Sequence, residues 1–149
     1  MNDSQKCQRR LSSDLRIGEV YTRAELSLRF EIEDSTLKNG IFKPKGFDSV
    51  LIFITAKKTS DRRQYQDIYD GKNLSMEGQP RGRTDQWLSD HKELDLELLL
   101  FYRLSKKEHP GAGFSFEGHF DCISYEPGNP KQGKPAHFRL HRCDKYSPK

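Results

Sequence analysis

Little in this chain is built to cross a membrane, to be cross-linked by oxidation, or to run a recognisable catalytic reaction. The longest apolar run, Val50-Leu51-Ile52-Phe53-Ile54, has five residues, against the 18 or so that a spanning helix needs, so a soluble protein is expected. There are three cysteines, Cys7, Cys122 and Cys143; an odd, scattered set suits reduced thiols in a cytoplasmic setting rather than a disulfide framework. The first ten residues are polar, with Lys6, Arg9 and Arg10 and no apolar segment behind them, which is not the pattern of a secretory signal.

Catalytic signatures are missing as well. No acid-x-Lys trio follows an apolar strand, as a metal-dependent nuclease would require to hold a divalent cation beside its base. No phosphate loop ending in Gly-Lys-Ser/Thr, no Gly-x-Ser-x-Gly elbow and no Gly-x-Gly-x-x-Gly occurs. A metal reading of Cys122, His137, His141 and Cys143 lacks the paired Cys-x-x-Cys of zinc sites. No catalytic residue, metal or cofactor is therefore predicted, and the chain reads as a binding module.

What is present is one domain's worth of sequence, 149 residues. Hydrophobic residues reach 33% and charged residues 32%, against norms of about 45–50% (glycine included) and about 25%, so the core is small and the surface highly charged. Nine Phe, six Tyr and one Trp are nevertheless too many large apolar rings for a disordered chain. The net charge of +4 is modest, but residues 40–63 carry six bases against two acids, and residues 131–149 six bases against Asp144 alone. Two separated basic stretches suit a polyanionic partner; a solvated surface with a basic tail has the same composition.

Thr22-Arg23-Ala24-Glu25 matches a capping box and predicts a short helix, although Ala24, Leu26, Leu28 and Phe30 also alternate like a strand. After the Asn39-Gly40 turn signal, Ile41-Phe42 predicts a brief strand leading into the basic loop Lys43-Pro44-Lys45-Gly46. Residues 49–56 predict a strand covered on both faces. Residues 84–93 suit a short helix, and residues 94–104 a second core strand turning Leu94, Leu96, Leu98, Leu100 and Tyr102 or their neighbours inward. Phe114-Ser115-Phe116-Glu117-Gly118-His119-Phe120 alternates strictly and predicts a third strand running on to Tyr125. Glu126-Pro127-Gly128-Asn129-Pro130 is a turn, and residues 136–142 return as a fourth strand. The sum is an α+β domain with a curved, partly closed, barrel-like sheet and a few flanking helices. Residues 1–17 read as a flexible lead-in, 18–142 as the domain and 143–149 as a basic tail.

Between the first two core strands lies a long polar stretch, residues 57–88. Polar segments of this length in a compact domain are functional or disordered, and Tyr65, Ile68, Tyr69 and Trp87 are costly to leave in water. Its composition suits a base pocket: Asp67 or Asp70 can accept from the exocyclic amine of cytosine, Tyr65 and Tyr69 can stack on a base, and nearby Arg and Lys can hold phosphates. The same residue types also serve as plugs and caps in turns.

The order of the fragments adds to this. Gly40-Ile41-Phe42, a basic loop, the strand at 49–56, Tyr65-Gln66-Asp67, Asp70-Gly71, Gly78-Gln79 and Gly82-Arg83-Thr84-Asp85, then Phe116-Glu117-Gly118 and Phe120, resembles the SET- and RING-associated (SRA) family. In particular it is similar to the SRA-like modules of bacterial modification-dependent restriction enzymes. The resemblance runs from about residue 18 to 142. It implies a PUA-like fold that binds double-stranded DNA carrying 5-methylcytosine or 5-hydroxymethylcytosine and flips the modified base into a pocket. It implies a pocket formed by Tyr65, Asp67, Tyr69, Asp70, Met76 and Gly78, with Asp67 at the cytosine edge. Loop contacts would come from Gln79, Arg81, Arg83 and Thr84, and phosphate contacts from Lys43, Lys45, Lys57, Lys58, Arg62 and Arg63. Phe116-Glu117-Gly118 stands where the family often has Tyr-Asp-Gly. The sequence departs from the family at Ser75-Met76, where a second stacking ring is usual; Trp87 is either its replacement or a core residue. The expected role is that of a reader in restriction or defence, acting with a nuclease or helicase partner. The alternatives are a modification-dependent nuclease component and an RNA-binding PUA-like module.

Overall fold

The computed structural model describes residues 10–32, 40–56, 68–78 and 84–143. Its centre is the apolar run, which forms β3 (Ser49–Thr55). β3 pairs in parallel with β6 (Glu97–Arg103), from Ser49↔Glu97 to Thr55↔Arg103. Both strands are hydrophobic on successive residues, so their two faces feed two separate cores. Val50, Ile52, Ile54, Leu98 and Leu100 enter the first, and Leu51, Phe53, Leu99 and Phe101 the second.

β7 (Phe114–Glu126) runs antiparallel to β6 and serves both cores. Even spacing would put Phe114, Phe116 and Phe120 on one face. Instead Phe114 and Phe116 lie in the second core and Phe120 in the first. The register explains it: Phe101 faces Phe116 while Leu100 faces Gly118, so Glu117 is an extra residue and the alternation changes sides. Gly118 sits there at φ 97°, a conformation natural only to glycine. A second register shift lies between Cys122 and Ser124, where Ile123 is 61% exposed.

The remaining strands build outward from this frame. β1 (Val20–Tyr21) pairs with the start of β7, and β8 (His137–Arg142) with its second half. β5 (Asn73–Glu77) joins β8, β4 (Ile68–Tyr69) joins β5, and β2 (Ile41–Phe42) flanks β3. The path is β2-β3-β6-β7-β8-β5-β4, with β1 beside β7. No ladder joins β2 to β4 among the described residues, so the sheet is open. It curls strongly all the same: β4 is four strands from β6 along the path, yet the rings of Tyr69 and Tyr102 are 4.7 Å apart. The first core fills the concave side.

Two helices complete the α+β architecture among the described residues. α1 (Arg23–Phe30) opens on the expected capping box: Thr22 Oγ1 accepts from the Glu25 amide at 3.0 Å, and Glu25 Oε1 accepts from the Thr22 amide at 2.8 Å. α1 buries Leu26 and leaves Leu28 exposed, which settles the helix-strand ambiguity. α2 (Asp85–Ser89) is shorter than residues 84–93 and buries Leu88. Leu94, expected to point inward, is 43% exposed, because β6 begins only at Glu97. Trp87 is half-buried and packs against the first core. Neither helix is long and apolar enough to cross a membrane.

Residues 10–17 differ from the expected mobile lead-in. A 3-10 turn, Leu11–Asp14, seats Leu11 at 1% exposure in the second core, and the Leu11 amide donates to Ser49 Oγ at 3.0 Å. Leu11, Leu15 and Ile17 all pack in or against the second core, but three apolar residues in so short and polar a segment are too few to set a periodicity that the sequence could show. Residues 1–9 and 144–149 lie outside the described residues.

Leu11→Ala should lower stability by about 2–5 kcal/mol in urea denaturation, as for other buried leucines; a change within about 0.5 kcal/mol, typical of surface positions, would mean that the segment is not part of the core. Gly118→Ala should cost about 1–3 kcal/mol through backbone strain, since the new Cβ would also stand 2.9 Å from Ile17 Cδ1.

Candidate nucleic-acid interface

Within the polar stretch between β3 and β6, the described residues 68–78 contain more regular structure than their composition suggests, because they fold as the β4–β5 hairpin. Asp70 closes the turn. Its Oδ1 accepts from the amides of Lys72 at 2.9 Å and Asn73 at 2.7 Å, and these backbone hydrogen bonds hold its carboxyl below the usual range. Asp70 is therefore engaged as a turn cap in an exposed position.

Tyr69 faces the concave side. Its ring lies against Tyr102 and, 6.0 Å away, Phe120. Its hydroxyl donates to Glu117 Oε1 at 2.6 Å and accepts from Arg142 at 2.7 Å. Burial, with the adjoining Glu117 carboxylate, raises the phenol well above its ordinary pKa, so it is uncharged at neutral pH. Arg142 also donates to the Gly71 carbonyl through Nε at 3.0 Å and to the Glu117 carbonyl. Ser115 Oγ donates to the other Glu117 oxygen at 2.9 Å. One guanidinium and one carboxylate thus clasp the hairpin to β7 and β8. Glu117 and Gly118 of the Phe-Glu-Gly fragment are consequently an anchor and a bulge.

The other expected pocket residues are placed less uniformly. Met76 does not line a pocket: with Leu74 it occupies the inward positions of β5, faces Phe138 of β8 and is 1% exposed in the first core. Gly78 is buried, and a Cβ there would come within 2.6 Å of Asp85 Oδ1 and 2.9 Å of Phe138. That close approach brings the end of β5 onto the start of α2. Thr84 Oγ1 and Asp85 Oδ1 are buried in this corner with no hydrogen-bond partner among the described residues, and burial pushes the Asp85 carboxyl up. Tyr65, Asp67, Gln79, Arg81, Arg83, Lys57, Lys58, Arg62 and Arg63 lie outside the described residues. The register does fix where their segments attach. The chain enters the hairpin at Ile68 and leaves through Gly78, both at the end opposite the Asp70 turn.

Of the expected phosphate contacts, Lys43, half-buried, and Lys45, exposed, lie in the described loop between β2 and β3.

A second buried polar group was not visible in the sequence. Glu97, 5% exposed at the start of β6, accepts from Ser49 Oγ at 2.6 Å, Ser12 Oγ at 2.6 Å and His119 Nε2 at 2.8 Å. Burial alone would push its carboxyl up, but the hydrogen bonds from His119, Ser12 and Ser49 outweigh it and the net shift is downward. Nearby, His91 Nδ1 meets the Leu96 carbonyl at 3.2 Å and its Nε2 accepts from the Cys122 amide at 3.1 Å. Burial lowers its pKa and so favours the neutral ring. Apart from His91 and Leu96, which are five residues apart, these partners lie 22 to 85 residues apart, and no local motif joins them.

No protein-family model matches the chain, and no curated protein does. Solved structures do resemble it. A KRYPTONITE complex with mCHG DNA and SAH superposes with a TM-score of 0.62 at 13% identity, over 91% of this chain and 33% of that one. A SUVH5 SRA complex with hemi-methylated CG DNA gives 0.51 at 21% identity, over 91% and 92%. SUVH6 of Arabidopsis thaliana with SAM gives 0.53 at 18% identity, over 91% and 27%. The chain spans about a third of the length of KRYPTONITE. The likeness is one of fold, and the fold is SRA-like.

Because the Glu97 carboxyl is held below its unfolded value, it contributes stability that is complete above about pH 4.3 and is lost as pH falls through the lower folded value. Glu97→Gln should lower stability at pH 7 by roughly 3 kcal/mol and flatten the decline between about pH 5 and pH 2, as read from denaturation midpoints across that range.

Proposed function

We propose that this chain reads modified cytosine, 5-methylcytosine or 5-hydroxymethylcytosine, in double-stranded DNA, without catalysis of its own. The observation that carries the reading is the SRA-like fold over 91% of the chain, joined to the order of Tyr65, Asp67, Gly78 and Arg83 in the sequence. KRYPTONITE and SUVH5 structures with this fold are complexes with mCHG and hemi-methylated CG DNA. In the sequence Asp67 immediately precedes the hairpin that Arg142 clasps.

In the proposed mechanism the base is extruded, Asp67 accepts the cytosine N4 hydrogens and Tyr65 stacks on the ring. Tyr69, held by Glu117 and Arg142, keeps the hairpin in place. Unstacking costs a few kcal/mol, and burying one methyl group returns only about 0.8 kcal/mol. Stacking and hydrogen bonds must supply the rest, with the methyl or hydroxymethyl group selecting by fit. Arg81 or Arg83 fills the gap left in the duplex, and Lys57, Lys58, Arg62 and Arg63 neutralise phosphates with little sequence content. The setting is modification-dependent restriction or defence, with nuclease or helicase activity supplied by a partner.

Titration against matched duplexes carrying cytosine, 5-methylcytosine, 5-hydroxymethylcytosine or methyladenine should rank a modified cytosine first. Asp67→Ala should weaken modified-duplex binding by roughly tenfold or more with a smaller effect on plain duplex; equal losses on both would overturn a cytosine-edge role. Lys57→Glu should weaken both duplexes alike and reduce the salt dependence.

A further inference from the structure

The convex side of the curled sheet carries polar side chains in two cross-strand rows, formed where β5, β8 and β7 lie side by side. In one row Arg139 is flanked by Ser75 and Ser124; in the next, His137 is flanked by Glu77 and Glu126. Ser75, Ser124, Glu126, His137 and Arg139 line a cavity of about 380 Å³, within the range of small-molecule sites. His137 Nε2 is 3.6 Å from Glu77 Oε2. Arg139 and Glu126 make no ion pair with each other although they line the same cavity, and Ser75 and Ser124 stand opposite Arg139 in the register on its two sides.

Opposite charges left apart across a cavity suit a ligand that presents acceptors to one and donors to the other. A bare anion fits poorly, because Glu77 and Glu126 stand in the row beside Arg139. The two rows are two residues apart along β8, about 6.6 Å, a spacing that one small planar ligand can bridge when acceptors on one edge meet the arginine and donors on the adjoining edge meet the glutamate. Guanine has both: O6 and N7 accept on one edge, where arginine pairs bidentately, and the N2 amine, with the adjoining ring N–H, donates on the other. Adenine puts a donor beside N7 and has no donors at the far edge. His137, about half exposed, supplies a ring for contact with the base face.

We infer that this convex cavity is a guanine site, with Arg139 reading O6 and N7 and Glu126 accepting from the N1 and N2 hydrogens. It lies on the face opposite the first core and goes beyond the cytosine reading, which turns on Asp67; each can fail without the other. The guanine can come from a free nucleotide or from a nucleic-acid strand, and the chemistry at the base is the same.

The test is calorimetric titration of the full chain with guanosine, GMP, AMP, and single strands that contain or lack guanine. A guanine-bearing probe should bind saturably, with its adenine counterpart at least about tenfold weaker. Arg139→Gln and Glu126→Gln should each weaken binding about tenfold or more, with unchanged circular dichroism and urea midpoints because both side chains are exposed. Binding of guanosine and GMP alone would make the free nucleotide the ligand, and binding of the guanine strand alone would make it the nucleic acid. Equal affinity for GMP and AMP, no binding of any guanine probe, or indifference to both variants would overturn the inference.

Discussion

The extra residue in β7 organises the molecule. A regular strand presents one row of side chains to each face along its whole length, and β7 would then commit all its phenylalanines to a single core. By taking up Glu117 at the bulge, the strand delivers Phe114 and Phe116 below the sheet and Phe120 above it. Both cores can therefore be sealed by one central strand. The same irregularity turns Glu117 toward Tyr69 and Arg142, so the feature that divides the core also secures the hairpin beside the proposed pocket.

Much of the frame was legible from local pattern. The capping box at Thr22 and Glu25 and the apolar run in β3 are short-range signals with one dominant solution. β5 was not legible: Asn73-Leu74-Ser75-Met76-Glu77 has only two apolar residues, and its place in the sheet is set by pairing with β8. The strict alternation around Phe116 gave the strand but not its faces, because a glycine within a strand does not announce which way the parity will turn. Leu94 followed the rhythm of β6 without belonging to it, since Asp95 adopts φ 58° just before the strand begins.

The proposed site was legible to a different degree. Residue order pointed to the SRA-like fold, which the solved structures share. It did not reveal that Asp70 caps a turn or that Met76 is sealed in the core, because short polar and apolar fragments look alike whether they serve a ligand or the chain. The polar clusters around Glu97 and Glu117 were equally hidden, as each collects partners from strands distant in sequence. The two carboxylates can be kept in such places because each accepts several hydrogen bonds.

The parallel pairing of β3 with β6 has an evolutionary consequence. Parallel neighbours cannot be joined by a tight turn, so everything from Ala56 to Leu96 is an excursion between two central strands. Lengthening such an excursion is inexpensive, with each doubling adding only about 0.6 kcal/mol of closure entropy. Segments inserted there can vary in length and composition while the paired strands stay in register, so the scaffold tolerates change in this excursion without loss of its frame.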